Sequence, residues 1–431
     1  MKTLHKGLQI SGRNGNVYTI DSLISAGTGQ GDIYRVFNSR KEVFAMKLFH
    51  PGSKKKKLLK QIIRLIKRGQ ACEVFVIPIE IVDYKQQIGY VMEYIGPEYM
   101  NAAALFNGVE KDGVMINLPW HVKLTLLACI VEPFVVLNTA KLGIMDIKFD
   151  NIKIDLNNLK VKVLDTDTIV YSKDKSVVLG TVGFMPPNTM MRRETPNEFN
   201  DVYAIAVLIF MTLMGAHPLD GKRRMQPCNE QIDTYLFGTH PVYMFNPNDA
   251  SNRPIPQDSF GRNQQQVIDK FNKYPKYFKD AMRKTFVDGL YDGEKRTTMT
   301  EWLEILERLY NDSFICEQCG EEYFFDANEK ACSVCKQELV KPIFIQSEKS
   351  LPIFNGMTIF SDDLWNTTNH YEVFKVVETK YDGRFGLQNL LRDKAVLKLP
   401  NGTEKSFNHS EEIPIFLDGE IEIESNKIKF M

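Results

Sequence analysis

The sequence predicts an α+β chain in which a small β-rich lobe precedes a larger helical lobe, followed by a cysteine-rich knuckle and a small all-β module. Three observations predict it. Short β-branched and aromatic runs fill the chain from Leu8 to about Tyr94, and helical periodicity dominates from about Trp120. Four cysteines in two close pairs then precede a return to short strands from Phe344 onward. At 431 residues the chain is too long for one ordinary core. The units are expected at residues 8–95, 96–312, 313–341 and 342–431.

In the first lobe the runs NVYTI, DIYRVF, VFAMKLF, FVIPIEIVD and IGYVMEYI are separated by Gly, Asn, Ser or Lys clusters, which implies a mostly antiparallel sheet. The interruption KKKKLLKQIIRLIKRG places Leu58, Leu59, Ile62, Ile63, Leu65 and Ile66 at helical spacing. Its Lys54 to Lys57 run reads as a solvated helix start. Helices are expected over Val122–Lys141, Asp201–Gly215, Gln264–Val287 and Thr300–Tyr310. The tail carries the turn signals YDGRFG, LPNGTE and FLDGEIEI, and VKPIFIQSEKSLP reads as the hinge before it. No internal repeat or low-complexity linker is evident.

Hydrophobic residues make up 43% and charged residues 25%, with 54 Lys plus Arg balancing 54 Asp plus Glu. That balance gives no case for nucleic acid or membrane binding. MKTLHKGLQISGRNGNVYTI lacks the apolar core of a secretion signal. The run AIAVLIFMTLM is about half of a bilayer span, and LLACIVEPFVVL is interrupted by Glu132 and Pro133. Both read as buried helices of a cytoplasmic protein. Cys72, Cys129 and Cys228 are scattered, as packing or loop thiols are.

The chemistry-bearing residues are spread widely. LGIMDIKFDNIKI packs Asp146, Lys148, Asp150 and Asn151 between apolar residues. Such a cluster is either a solvated turn or a trio suited to phosphoryl transfer, with a proton acceptor, a phosphate-facing amine and a cation ligand. AGTGQGDIYRV is a glycine-rich turn, either a plain hairpin or a loop whose amides approach phosphate. Lys47 stands in an apolar strand, so its amine reaches solvent or meets an anion. Asp165 and Asp167 follow the strand VKVL. LGTVGFMPP, DVYAIAVLIF, GAHPLDG and EKRTTMTEWLEIL come next.

The order and spacing of these pieces, over about residues 8 to 310, resemble the eukaryotic-type Ser/Thr protein kinase family. The resemblance implies a bilobal protein-kinase-like fold that uses ATP and Mg²⁺ on a protein substrate. It implies that Gly27, Gly29 and Gly31 cover the phosphates and that Lys47 meets the α- and β-phosphates. Met92 would be the gatekeeper, with Glu93, Tyr94 and Ile95 as the adenine-contacting hinge. Asp146 would orient or deprotonate the acceptor hydroxyl, Lys148 would steady the γ-phosphate, and Asn151 and Asp165 would hold Mg²⁺. Thr181 falls at the end of the activation segment, and Asp201 where a buried aspartate anchors the catalytic loop.

Several positions depart from the family pattern. Ile144 and Met145 replace the His-Arg before Asp146, which argues against activation through a phosphorylated segment residue. Asp-Phe-Gly is replaced by Asp165-Thr166-Asp167, whose second acid adds charge near the metal. Ala-Pro-Glu is replaced by Pro186-Pro187-Asn188, leaving Glu194 as the substitute partner for Arg296. Nothing acidic lies between Lys47 and Cys72, so Gln61 or Asp165 is expected to orient Lys47. These gaps leave open a pseudokinase scaffold that binds nucleotide without efficient transfer; a small-molecule kinase is disfavoured by LGTVGFMPP, which resembles a protein-substrate activation segment.

Asp-Thr-Asp, the basic helix and the trailing cysteine knuckle are similar to bacterial kinases of the TerY phosphorylation triad. That likeness implies a von Willebrand A protein and a PP2C-type phosphatase as partners, and a role in stress or conflict signalling. CEQCGEEYFFDANEKACSVC offers Cys316, Cys319, Cys332 and Cys335 as two C-x-x-C pairs, the pattern of a structural, tetrahedral Zn²⁺ ribbon. Two disulfides would be the alternative in an oxidising compartment. The final module faintly resembles a forkhead-associated sandwich, or is a generic protein-docking β-domain. Thr168, Ser172, Ser176 and Thr181 are candidate phosphorylated residues.

Overall fold

The computed structural model describes residues 4–26, 31–50, 62–63, 73–111, 114–171, 180–224, 229–257, 264–316, 318–324, 331–332, 334–338, 343–353, 356–378, 385–416, 419–423 and 426–431. The chain packs as two compact units, Met1–Tyr310 and Asn311–Met431.

The first unit opens with six antiparallel strands, β1 (Gln9–Ser11), β2 (Val17–Ser25), β3 (Gly31–Phe37), β4 (Val43–Phe49), β5 (Glu80–Tyr84) and β6 (Gln87–Glu93), in the order β1-β2-β3-β4-β6-β5. Side chains alternate across the sheet, so β4 sends Met46 and Leu48 to one buried cluster and Ala45 and Phe49 to another. Lys47 shares the face of Ala45 and Phe49. Register sets Tyr90 opposite Lys47 and Met92 opposite Ala45. Among the described residues of the basic stretch, Ile62 and Ile63 are helical, and Ile62 is fully buried in the Phe49 cluster.

Helices dominate the remainder of this unit. Long helices Trp120–Thr139 and Glu198–Met214 pack together and both touch the short strand Leu142–Ile144, which leads into the catalytic-loop candidate. The second helix starts at a capping box, in which Asn197 accepts from the Phe199 amide and Asn200 accepts from the Asn197 amide. It stops at Gly215, whose φ of 79° suits a left-handed cap. Trp120–Thr139 is long and apolar enough to cross a membrane by length and composition, but its Leu124, Leu127, Ile130, Val131 and Phe134 are buried inside the fold.

One helix expected over Gln264–Val287 is instead broken into Gln265–Lys273 and Lys276–Arg283, with a wider turn over Lys284–Asp288. Pro275 is the reason. It lacks an amide hydrogen and drives Tyr274 to an extended ψ of 146°.

In the second unit, strands Ser313–Ile315 and Glu322–Phe324 pair beside the cysteines. Beyond them lie a six-stranded and a four-stranded antiparallel sheet. Both contribute to one core, with Ile345, Leu397 and Ile428 from the first and Phe374, Val376 and Leu387 from the second. The stretch read as a hinge is mostly sheet: Ile343–Gln346 pairs with Ser350–Ile353, and Ile345 is fully buried.

Candidate active site

Lys47 is buried, and its Nζ donates to Asp165 Oδ1 at 2.9 Å and to Asp167 Oδ2 at 3.2 Å. Its carboxylate partners are thus about 120 residues away in sequence. Burial works against the ammonium, yet Tyr90 and the carboxylates of Asp167 and Asp165 hold its pKa above the ordinary lysine value. Burial pushes the Asp167 carboxyl up against the pull of Lys47.

Asp165 reaches Lys47 from a left-handed backbone (φ 52°, ψ 36°), a conformation aspartate tolerates better than most residues. The turn that follows is pinned, because Thr166 Oγ1 donates to the Val76 carbonyl at 2.6 Å and Thr168 Oγ1 to the Asp165 carbonyl at 2.9 Å.

The opening cluster forms a second node. Asn151 Nδ2 donates to the Asp146 carbonyl (2.8 Å) and to Asp146 Oδ2 (3.2 Å), which leaves its Oδ1 as an acceptor for a hard cation. The Leu164 amide donates to the Asn151 carbonyl at 2.7 Å, tying this loop to the strand that ends at Asp165. Lys148 Nζ lies 3.2 Å from Asp146 Oδ2 and 3.1 Å from Thr181 Oγ1. Thr181 in turn donates to Asp146 Oδ1 at 2.5 Å.

Beneath this node the fully buried Asp201 accepts from the Ile144 amide at 2.6 Å, and burial pushes its carboxyl well above the ordinary range. Protein-family comparison matches residues 18–306, well over half of the chain, to the protein kinase domain. The chain belongs to the protein kinase family. No curated protein matches it. Among matching solved structures, the autoinhibited serine kinase domain of the giant muscle protein titin shares 15% identity at a TM-score of 0.49, over 68% of this chain and 81% of that chain.

Within the kinase domain, Met92 is buried on β6 and Glu93 ends that strand, its carboxylate 2.7 Å from Lys162 Nζ. Tyr94 lies under the Arg35 guanidinium at 5.3 Å, and Ile95 is half-buried beside the Phe49 cluster. Gly31 is the first residue of β3 rather than part of a free loop. A Cβ there would come within 2.4 Å of the Leu48 carbonyl, so strand packing requires this glycine. Gly27, Gly29, Gln61, Ser172, Ser176, Cys72 and Cys228 lie outside the described residues.

Asp167, expected to add charge near the metal, is buried as a partner of Lys47. Its signal was the missing acid in the basic stretch together with a second aspartate after an apolar strand. Glu194 was the expected partner of Arg296, but the Arg296 guanidinium donates to the carbonyls of Gly289 and Phe199 (both 2.8 Å) and sits over the Tyr203 ring. Glu194 accepts from Asn197 Nδ2 and favours the Arg296 charge only through space. Burial lowers Arg296 to about 10, which leaves it charged at neutral pH.

In the second unit the ligand atoms of Cys316, Cys319, Cys332 and Cys335 all lie within 4.8 Å of one another. Cys316 and Cys335 sulfurs are 3.6 Å apart, and those of Cys319 and Cys332 are 3.7 Å apart. A tetrahedron with Zn–S bonds of about 2.3 Å has edges of about 3.8 Å, so the four thiolates fit Zn²⁺. Both knuckles bend alike: Gly320 (φ 72°) and Lys336 (φ 62°) follow the second cysteine of each pair, and their amides donate to the Cys316 and Cys332 carbonyls.

Proposed function

We propose that this kinase-family chain is an active Ser/Thr protein kinase that transfers the γ-phosphoryl group of ATP to protein hydroxyls. The observation that carries the reading is the meeting of Lys47 with Asp165 at 2.9 Å, beside a node in which Asp146 and Lys148 both hold a hydroxyl, that of Thr181. In the reaction the acceptor oxygen forms a bond to γ-phosphorus as the bond to the bridging oxygen breaks. Asp146 takes the hydroxyl proton, Lys148 and Lys47 face phosphate charge, and ADP leaves. Asn151 Oδ1 and Asp165 would hold Mg²⁺, which supplies neutralisation of phosphate charge when bound. Met92 and Glu93 to Ile95 would border adenine, and Gly27, Gly29 and Gly31 would flank the phosphates.

The pseudokinase alternative rests mainly on the missing acid for Lys47; the carboxylates of Asp165 and Asp167 within 3.2 Å of Lys47 Nζ support the active reading. The test is transfer of radiolabel from γ-labelled ATP by the wild type and Asp165→Asn side by side. Label incorporation by the wild type and none by the variant is expected; none by either sinks the reading.

The further units extend the proposal. Cys316, Cys319, Cys332 and Cys335 are read as a structural zinc ribbon and residues 342–431 as a β-rich docking module of sandwich or forkhead-associated type. The likeness to TerY-triad kinases adds a von Willebrand A protein, a PP2C-type phosphatase, stress signalling and a cytoplasmic location, where thiolates stay reduced. Co-purification of both partners with the tagged chain checks this.

A further inference from the structure

Kinase catalysis needs the phosphate-facing lysine held in one direction. No acidic residue stands between Lys47 and Glu73, so the basic stretch after the lysine strand supplies no carboxylate. Two carboxylates reach Lys47 from elsewhere, and they differ in kind. The Asp165 side chain is 39% exposed and open to a dissolved cation, whereas Asp167 is 5% exposed and closed off beside Lys47. Tyr90 stands opposite Lys47 in the strand register with its ring centroid 6.0 Å from Lys47 Nζ, so Tyr90, Asp167 and Lys47 form one buried cluster. Thr166, between the two acids, is anchored to the Val76 carbonyl, which fixes both carboxylates to the same turn.

We propose that Asp167 is the positioning residue for Lys47: it keeps the ammonium aimed at the triphosphate once Asp165 is drawn to the metal. The proposal rests on Lys47 being the phosphate-facing amine. The orienting acid and the metal-binding acid then belong to one short turn, two residues apart. Lysine orientation and metal capture are coupled through that turn and not through an acid on a separate helix. A glycine at position 167 would remove this coupling as well as loosen the turn.

The test is a double-mutant cycle on nucleotide binding, read by calorimetry with a non-hydrolysable ATP analogue and magnesium. Asp167→Asn in the wild-type background is expected to weaken binding about tenfold, the size of a charge-assisted bond. Lys47→Met is expected to weaken it at least as much, and Asp167→Asn added to Lys47→Met should weaken it no further. Unchanged binding in Asp167→Asn, or an equal loss in both backgrounds, would overturn the proposal, since a merely structural aspartate acts without regard to Lys47. Should Asp167→Asn fail to fold, the Lys47→Met/Asp167→Leu pair, which removes both charges, is compared with Lys47→Met. Equal affinities are expected, and a further drop contradicts the inference. Binding is read without turnover. A chain that binds nucleotide yet transfers no phosphate therefore defeats the kinase reading and leaves this inference standing.

Discussion

The cysteine knuckle and the Lys47 cleft both gather charged or charge-bearing groups, but they do so over very different sequence distances. The four sulfurs come from positions 316 to 335, and each pair is shaped by its own tight turn. The cleft joins Lys47 to acids about 120 residues away, through a sheet register on one side and a pinned turn on the other. Local spacing is enough to specify the first. Only the completed fold specifies the second, so the knuckle is expected to respond to metal and the cleft to packing.

The largest effect follows from the knuckle. Removing zinc with a chelator is expected to unfold residues 313–338, with a loss on the order of 10 kcal/mol of local folding free energy. Limited proteolysis should then cut within that stretch, and metal analysis should find one zinc per chain before treatment. An intact knuckle after complete zinc loss would remove the contrast.

On the cleft side, Asp201→Ala leaves the buried Ile144 amide without its 2.6 Å acceptor, for a loss of roughly 1–3 kcal/mol in denaturant unfolding. A smaller effect is expected at His217, whose Nε2 meets the Gly183 carbonyl at 2.8 Å while its Nδ1 accepts from the Leu219 amide at 3.1 Å. Burial lowers this imidazole to about 4, so the fold holds it neutral. The unfolded chain binds that proton more readily, so stability present above pH 6.5 declines as the pH falls toward 4. His217→Gln should flatten that part of a melting-temperature profile.

The knuckle also supplies the smallest change. Lys336 holds the left-handed position that Gly320 fills in the first knuckle. Lys336→Gly should stabilise the zinc-loaded protein by up to about 1 kcal/mol, visible as a small rise in melting temperature.

Legibility in the sequence follows the same division. Period-two runs exposed β3 and β4 nearly to the residue and β6 to within two residues, whereas NVYTI stops at Ile20 and leaves out the largely exposed second half of β2. Helix periodicity carried through Tyr274 because Phe271, Tyr274 and Phe278 keep their apolar spacing on both sides of Pro275. Lys47, Asp146, Lys148, Asn151 and Asp165 could be named from their motifs, and the fold brings them into two adjoining nodes. Asp167 could not be assigned to Lys47, since only the folded turn anchored at Thr166 brings that carboxylate to the amine. Arg296 was misjudged for a related reason: carbonyl oxygens leave no mark in a sequence.

The central claim is that the Asp146 node performs phosphoryl transfer, and its most direct test is the single-turnover rate of Asp146→Ala with saturating ATP and magnesium. A fall of at least about a hundredfold, with nucleotide affinity retained, is expected. A rate equal to the wild type's would contradict that claim.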